Sequence, residues 1–253
     1  MWTEHSPALH FRIDGIGSQD ILLLHEIGGS LQSWDQVVGQ ADARFRFIRF
    51  DQRGFGLSEK PRAQYGLVAL QYDVESVLDA AGNTGRFAIC AAAGASALAA
   101  RLAAAMPERV SSLVLCSPAL EMNDTARAQT RERAAAVMDL GMANIAVQAM
   151  TRMFPTPTRT AAFAEYSYRF LANDPVGFAL ANLALATLEP ELERIECQVM
   201  VLAGRHDIRS PEQVAQAAAR IRNTTVRIIE HGGHILPVQA PDAIVEALAI
   251  LPG

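Results

Sequence analysis

The sequence has little charge, few aromatic residues and a single lysine, Lys60. Charged residues make up 19% of its 253 residues, aromatic residues make up 6%, and the formal net charge is -5. No dense Lys/Arg cluster is present, which argues against a nucleic-acid-binding protein. The longest uncharged stretches, residues 87–100 and 175–188, are shorter than the roughly 18 residues that suggest a membrane span. We therefore expect neither a nucleic-acid partner nor a membrane partner.

The cysteines are too few and too irregularly placed for a disulfide framework or a metal site. Cys90, Cys116 and Cys197 are an odd number without metal-ligand spacing, and each lies in or beside an apolar run. They are predicted to be small core residues of a protein from a reducing compartment. The first residues also lack the basic segment followed by an apolar one that marks a signal peptide. We expect a soluble, cytoplasmic protein.

What the sequence has in quantity is apolar residues, 50% of the chain, arranged as short runs that alternate with helix-like stretches. This alternation predicts an α/β fold, a mostly parallel sheet with helices on both faces. The predicted strands are residues 21–24, 45–50, 87–90, 110–116, 199–202 and 226–229. The predicted helices outside the middle of the chain include residues 67–81, 93–106, 211–220 and 241–251.

The alternation stops between residues 120 and 196, where helical periodicity continues without a convincing strand. Roughly four short helices are predicted there. We expect a single domain over residues 1–253, with residues 120–196 forming a helical cap, or lid, inserted within it.

The residues of chemical interest follow five of the predicted strands. They are the segments 25–29 (His-Glu-Ile-Gly-Gly), 51–58 (Asp-Gln-Arg-Gly-Phe-Gly-Leu-Ser) and 90–94 (Cys-Ala-Ala-Ala-Gly), and the distal pair Asp207 and His234. Ligands of open α/β sheets bind at this edge of the sheet. A carboxylate that accepts one imidazole N–H holds the ring in a single tautomer, so that the ring can act as a base. Asp207 and His234 are therefore a predicted catalytic dyad for a small-molecule substrate.

In this chain order, the three segments and the distal pair resemble the α/β-hydrolase family. Pro107, Glu108, Arg109 and Val110, which precede the next strand, strengthen the resemblance. The match runs from about residue 10 to residue 250 and is poorest in the cap. It implies an α/β-hydrolase fold and hydrolysis of a small-molecule ester, lactone or related carbonyl compound, most similar to enol-lactone and C–C bond hydrolases. It implies no metal and no organic cofactor.

The sequence departs from this family where the nucleophile is expected. The family's Gly-x-Ser-x-Gly turn carries a serine in a strained conformation, and alignment on Gly94 places Ala92 at that position. Cys90 is predicted inside the strand and Ser96 one turn into the next helix, so neither is expected to replace the serine. Serine-type acyl transfer is expected to be lost or reduced to a residual rate.

Three hypotheses account for an intact dyad beside a missing hydroxyl. In the first, a serine at position 92 has been replaced, which leaves a nucleophile-inactivated hydrolase. In the second, the protein is a natural hydrolase-fold protein that binds a ligand without turnover. In the third, the chemistry needs only the His-Asp dyad, as in a lyase or a cofactor-free oxygenase. Hydrolysis by an Ala92→Ser variant tests the first hypothesis, and turnover by the unchanged sequence tests the third.

The resemblance also implies an oxyanion hole, formed by the backbone N–H groups of Ile27 and Ala93. Glu26 stands where the family usually has glycine, and it is expected either to brace the loop or to orient a water or substrate group. Trp34 is expected to pack against this loop, with a wall of the substrate pocket as the alternative. Asp51 and Arg53 are expected to brace loops.

The cap is expected to determine the substrate. Its arginines are Arg127, Arg131, Arg133, Arg152, Arg159 and Arg169. Helical spacing predicts that most of them form a solvated face. An arginine turned inward would bind a substrate carboxylate. The protein is expected to be a monomer or a homodimer.

Overall fold

A computed structural model describes residues 1–159, 161–189 and 191–251 of the chain. Its centre is a seven-stranded sheet in the order β1-β3-β2-β4-β5-β6-β7. β1 pairs antiparallel with β3, and every other neighbouring pair is parallel. The strands are β1 (Phe11–Asp14), β2 (Gln19–Leu24), β3 (Phe45–Phe50), β4 (Phe87–Ala92), β5 (Val110–Cys116), β6 (Gln198–Gly204) and β7 (Thr224–Ile229). The predicted mostly parallel sheet, with all six of its predicted strands, is confirmed.

Alternate residues of each inner strand enter two separate apolar cores. In β2, Leu22 and Leu24 pack on one face of the sheet, whereas Ile21 and Leu23 pack on the other. Because successive strand residues point to opposite faces, a strand buried on both faces must be apolar at every position. This is why the inner strands appear in the sequence as continuous apolar runs.

Helices cover both faces of the sheet. α2 (Leu67–Ala80), α3 (Ala95–Ala105) and α8 (Pro211–Ala218) contribute side chains to the core that contains Leu22. α1 (Asp35–Gln40), α9 (Leu236–Gln239) and α10 (Pro241–Ala249) contribute to the core that contains Ile21. The predicted helices on both faces of the sheet are therefore present.

Four α-helices lie between β5 and β6 in the described residues, and they are referred to here as the helical insertion. They are α4 (Asp124–Leu140), α5 (Met142–Met153), α6 (Phe163–Leu171) and α7 (Pro175–Leu185). No strand occurs in the described part of residues 120–196, from which Thr160 and Pro190 are excluded. The insertion has an apolar core of its own, which closes on Phe55, Ile235 and Val238 of the sheet scaffold. No helix in the described part of the chain is both long enough and apolar enough to cross a bilayer.

Candidate active site

The turn between β4 and α3 places one alanine in a conformation that L-residues rarely adopt. Ala93 has φ +49°, in the left-handed region, and lines a large cavity. Ala92 is still the last residue of β4, where it pairs with Cys116. Its methyl group lies in the core under the sheet, in the same cluster as Leu236 and Ile244.

The strained residue of this turn is therefore Ala93, one position after the residue that the sequence predicted. The sequence prediction assigns the tip of the turn to Ala92, and that assignment is wrong because the strand continues through Ala92 before the chain turns. Alignment on Gly94 alone could not fix the register, since three successive alanines offer no side chain to anchor it. The tip at Ala93 also has a methyl group, so the absence of a hydroxyl at this turn is unchanged.

The shift alters which backbone groups are free to bind an oxyanion. The Ala93 N–H, a predicted donor, already donates to the Cys116 carbonyl at 2.8 Å and is not available. The N–H groups of Gly94 and Ile27 donate to no atom of the described chain, and both residues line the cavity. Two main-chain donors without a partner in the described chain thus belong to residues that line the cavity together with Ala93. The Gly94 donor is at the N-terminal end of α3, where the helix dipole favours negative charge.

The two side chains considered as replacement nucleophiles are held elsewhere. The Cys90 thiol is fully buried inside β4, and burial, followed by its neighbour Cys116, raises its pKa well above the ordinary value. The Ser96 hydroxyl is also buried and donates to the Ala91 carbonyl at 3.2 Å. Neither side chain lines the cavity, so neither supplies a nucleophile there.

The structure brings Asp207 and His234 together, as a catalytic dyad requires. His234 Nδ1 lies 2.6 Å from Asp207 Oδ1, and the Asp207 side chain is fully buried. His234 lines the cavity, and its Nε2 has no hydrogen-bond partner in the described chain. The contact with the carboxylate fixes the tautomer that carries the proton on Nδ1, which leaves Nε2 free to accept a proton.

A close approach of two loops holds the dyad in place. Asp207 follows β6 and His234 follows β7, and the His206 N–H donates to the Gly232 carbonyl at 2.9 Å. A Cβ atom on Gly204 would lie 2.2 Å from the Gly233 carbonyl oxygen. Only glycine at position 204 therefore allows the two loops this close to each other.

Glu26 is buried in the wall of the same cavity. Only 1% of the residue is exposed, and its Oε1 accepts a hydrogen bond from the Ser33 hydroxyl at 2.8 Å. Its Oε2 is buried without a hydrogen-bond partner in the described chain, as is the hydroxyl of Tyr166. Burial, and after it the negative charge of Glu26, raises the pKa of Tyr166 well above its ordinary value. Glu26 is thus a buried carboxylate with no cationic partner.

Trp34 does not wall the pocket. It is fully buried in the core that also holds Val37 and Phe47, and it is absent from the cavity lining. The alternative, that Trp34 forms a wall of the substrate pocket, is therefore wrong, because the short helical turn that carries it faces the sheet and not the cavity.

The remaining polar residues of the loops brace the backbone. His25 Nε2 accepts from the Gln52 N–H at 2.9 Å, and its Nδ1 lies 2.8 Å from the Glu26 carbonyl. Asp51 accepts from the Leu31 N–H at 2.8 Å and the Leu57 N–H at 3.0 Å. These contacts connect the two loops beside Ala93.

The cavity itself has a volume of about 750 Å³, within the range of roughly 300–1,000 Å³ that is common for small-molecule sites. Among the cap arginines considered from the sequence, Arg133 and Arg152 line it. Arg209, two residues after Asp207, lines it as well. Sequence patterns contain no signal for Arg209, because its loop has no periodicity from which a direction could be read. The arrangement can bind a small carbonyl compound next to a base and two N–H donors.

Comparisons with known proteins identify a matching family and several similar proteins. The family model described as alpha/beta hydrolase fold matches residues 21–241. The chain is 26% identical to the 3-oxoadipate enol-lactonase 2 of Acinetobacter baylyi, over 96% of this chain and 97% of the relative. It is also 26% identical to a putative carbamate hydrolase, RutD, of Caulobacter sp., over 89% of this chain and 87% of that protein. The solved enol-lactonase of Burkholderia xenovorans superposes with a TM-score of 0.90 at 25% identity, over 98% of both chains.

Proposed function

Because the chain belongs to the α/β-hydrolase fold family, we propose that it acts on a small carbonyl compound, an ester, a lactone or a related molecule, without a serine nucleophile. The observation that carries the proposal is the His234–Asp207 contact of 2.6 Å, in the same cavity as Ala93. Relatives named as an enol-lactonase and a putative carbamate hydrolase support hydrolysis as the reaction. The helical insertion serves as the cap of a single domain.

In the proposed reaction, the dyad activates water directly. His234 Nε2 takes a proton from a water molecule, and the water oxygen bonds to the substrate carbonyl carbon. The carbonyl oxygen becomes negative and accepts hydrogen bonds from the N–H groups of Ile27 and Gly94. When the bond to the leaving group breaks, His234 returns the proton to that group, while Asp207 stabilises the imidazolium in between.

A serine at the tip of the turn would open a second route in the same site. Its hydroxyl would stand at position 93, in the cavity that His234 also lines, and would complete a Ser-His-Asp triad with a covalent acyl intermediate. With alanine this route is closed, so the present chain is impaired for serine-type hydrolysis.

Three variants test the proposal against a panel of esters, lactones and β-diketones. The unchanged chain should turn over at least one class, and His234→Ala should lower kcat roughly 100-fold or more, the usual contribution of a general base. Ala93→Ser should raise ester hydrolysis, whereas the matched control Ala92→Ser should not, because that side chain faces the core. Thermal melts verify that each variant is folded.

The alternatives predict different results. A protein that only binds its ligand shows no turnover by the unchanged chain, and His234→Ala leaves this unaltered. An inactivated serine hydrolase shows activity only after Ala93→Ser. Turnover that survives His234→Ala would exclude the dyad as the base.

A further inference from the structure

Three guanidinium groups line the cavity that contains the dyad. Arg133 extends from α4, Arg152 from α5, and Arg209 from the loop after β6. Two of them belong to the helical insertion and one to the sheet scaffold, so the cavity wall is cationic on both sides of the boundary between these parts.

These three arginines lack the carboxylate partners that the chain gives to others. Arg53 pairs with Asp73 at 2.5 Å, and Arg169 with Glu165 at 2.5 Å. In contrast, no carboxylate of the described residues lies within ion-pair distance of Arg133, Arg152 or Arg209.

The three arginines hydrogen-bond to uncharged groups or to no group of the described chain. Arg133 donates to the Asn182 side-chain oxygen at 2.9 Å and 3.2 Å, and to the Thr130 hydroxyl at 3.4 Å. The Arg209 Nη1 is buried with no partner in the described part of the chain, and Arg152 makes no hydrogen bond there. Burial and then the neighbouring arginines lower the pKa of Arg133, and burial with Arg152 does the same for Arg209. Each guanidinium therefore stands among like charges.

The negative groups nearby do not neutralise the three. Glu132 is exposed, and Glu26 is bonded to Ser33 instead. The charge of Asp207 raises the pKa of Arg209 and so opposes the effect of burial. The two residues form no ion pair, because Oδ1 of Asp207 contacts His234 Nδ1 and Oδ2 has no hydrogen-bond partner in the described chain. Arg133 and Arg209 are partly buried, whereas Arg152 is exposed. A cluster of mutually repelling cationic side chains is stabilised when an anion joins it.

We propose that Arg133, Arg152 and Arg209 form an anion subsite, so that the substrate of this cavity carries a carboxylate or phosphate group besides its reacting carbonyl. The planar guanidinium fork matches both kinds of oxyanion and binds them through paired, charge-assisted hydrogen bonds. The inference rests on the proposed function only in placing the reacting carbonyl at the dyad. The anion anchors the far end of the substrate, and its binding requires no catalysis.

Calorimetric titration tests the subsite without turnover. The probes are benzoate, phenyl phosphate and benzamide, which share one ring and differ in charge. Benzoate or phenyl phosphate should bind at least tenfold more tightly than neutral benzamide, and the tighter of the two anions identifies the group. Arg133→Gln and Arg209→Gln should each weaken anion binding about tenfold or more, the loss of a charge-assisted pair. The matched control Arg131→Gln should change it less than twofold, because Arg131 is on the same helix but outside the cavity.

Two further variants keep the result interpretable. Arg133→Lys retains the charge without the fork, and it should bind the anion more weakly than the unchanged chain but more tightly than Arg133→Gln. His234→Ala should retain full anion binding even though it removes the proposed base, so failure of the subsite and failure of the reaction are read separately. Melting temperatures without ligand verify that each variant is folded. The subsite is refuted if benzamide binds as tightly as the anions, or if both Gln variants of folded protein keep the original affinity.

Discussion

At the residue scale, Glu26 is a buried carboxylate that should lower the stability of the fold, and this suggests that it has a function. It is buried, has no cationic partner and leaves Oε2 without a hydrogen bond in the described structure. A charge in such a place opposes folding unless something binds it. We predict that Glu26→Gln raises the free energy of unfolding by about 1 kcal/mol, yet lowers kcat/KM at least tenfold, because the amide cannot hold a water or substrate donor as a carboxylate does.

The measurements are urea unfolding and kcat/KM as a function of pH. Ser33→Ala is the matched control, since it removes the hydrogen bond to Oε1 and leaves the charge. If Glu26 only braced its loop, Glu26→Gln would keep both the Ser33 contact and the activity, and Ser33→Ala would be the damaging change. Equal activity of Glu26→Gln and the unchanged chain therefore contradicts the prediction.

The residues of the site differ in how well the sequence identifies them. Asp207 and His234 can be predicted as a dyad because each follows a strand, and the ends of parallel strands meet at one edge of the sheet. Ala93 is missed by one position, since the turn's backbone conformation leaves no mark in a run of alanines. The prediction of Ala93 as an oxyanion donor is wrong for a related reason. Its N–H donates to the Cys116 carbonyl, and this hydrogen bond becomes evident only once β4 and β5 are placed side by side.

At the scale of elements, the helical insertion packs against the sheet scaffold through a close contact between two glycines. Gly177 in α7 lies against Gly54, and a Cβ atom on Gly177 would stand 2.6 Å from the Gly54 carbonyl oxygen. We predict that Gly177→Ala destabilises the protein by about 1–3 kcal/mol, the usual cost of overpacking. Helix propensity alone would favour alanine by roughly 0.5–1 kcal/mol, so the clash must outweigh it. The measurement is the melting temperature.

Gly39 in α1 is the matched control. A Cβ atom there meets nothing within 4 Å, so Gly39→Ala should raise the melting temperature through helix propensity alone. If Gly177→Ala were as stabilising as Gly39→Ala, α7 would not rest on Gly54 as tightly as the structure indicates.

Elements are predicted best where burial is complete. The inner strands stand out as apolar runs, whereas β1, with the sequence Phe-Arg-Ile-Asp at the edge of the sheet, carries polar residues and is not predicted. The helices of the insertion are predicted as a group. The direction of their arginines is not, because which face of a helix meets the cavity depends on contacts distant in sequence, such as that between Gly177 and Gly54.

At the scale of the whole molecule, the reactivity of the buried cysteine thiols can be used to measure unfolding of the sheet. Cys90 and Cys116 lie on the adjacent central strands β4 and β5, with their sulfur atoms 4.0 Å apart and both side chains buried. Cys197 is half-buried, and burial raises its pKa to about 11. Since the thiolate is the reactive form, we predict that no thiol of the native protein reacts rapidly with Ellman's reagent at pH 7.5, whereas all three react in concentrated guanidinium chloride.

The rates in the native protein should reveal how the molecule opens. Because β4 and β5 are hydrogen-bonded neighbours at the centre of one sheet, Cys90 and Cys116 should be labelled together, at a rate set by global unfolding. A Cys197→Ser variant removes the third, more exposed thiol, so that only Cys90 and Cys116 can be labelled. Mass spectrometry of partly labelled samples should then find protein with no label or with two labels. Abundant singly labelled protein would show instead that one strand opens while the rest of the sheet stays folded.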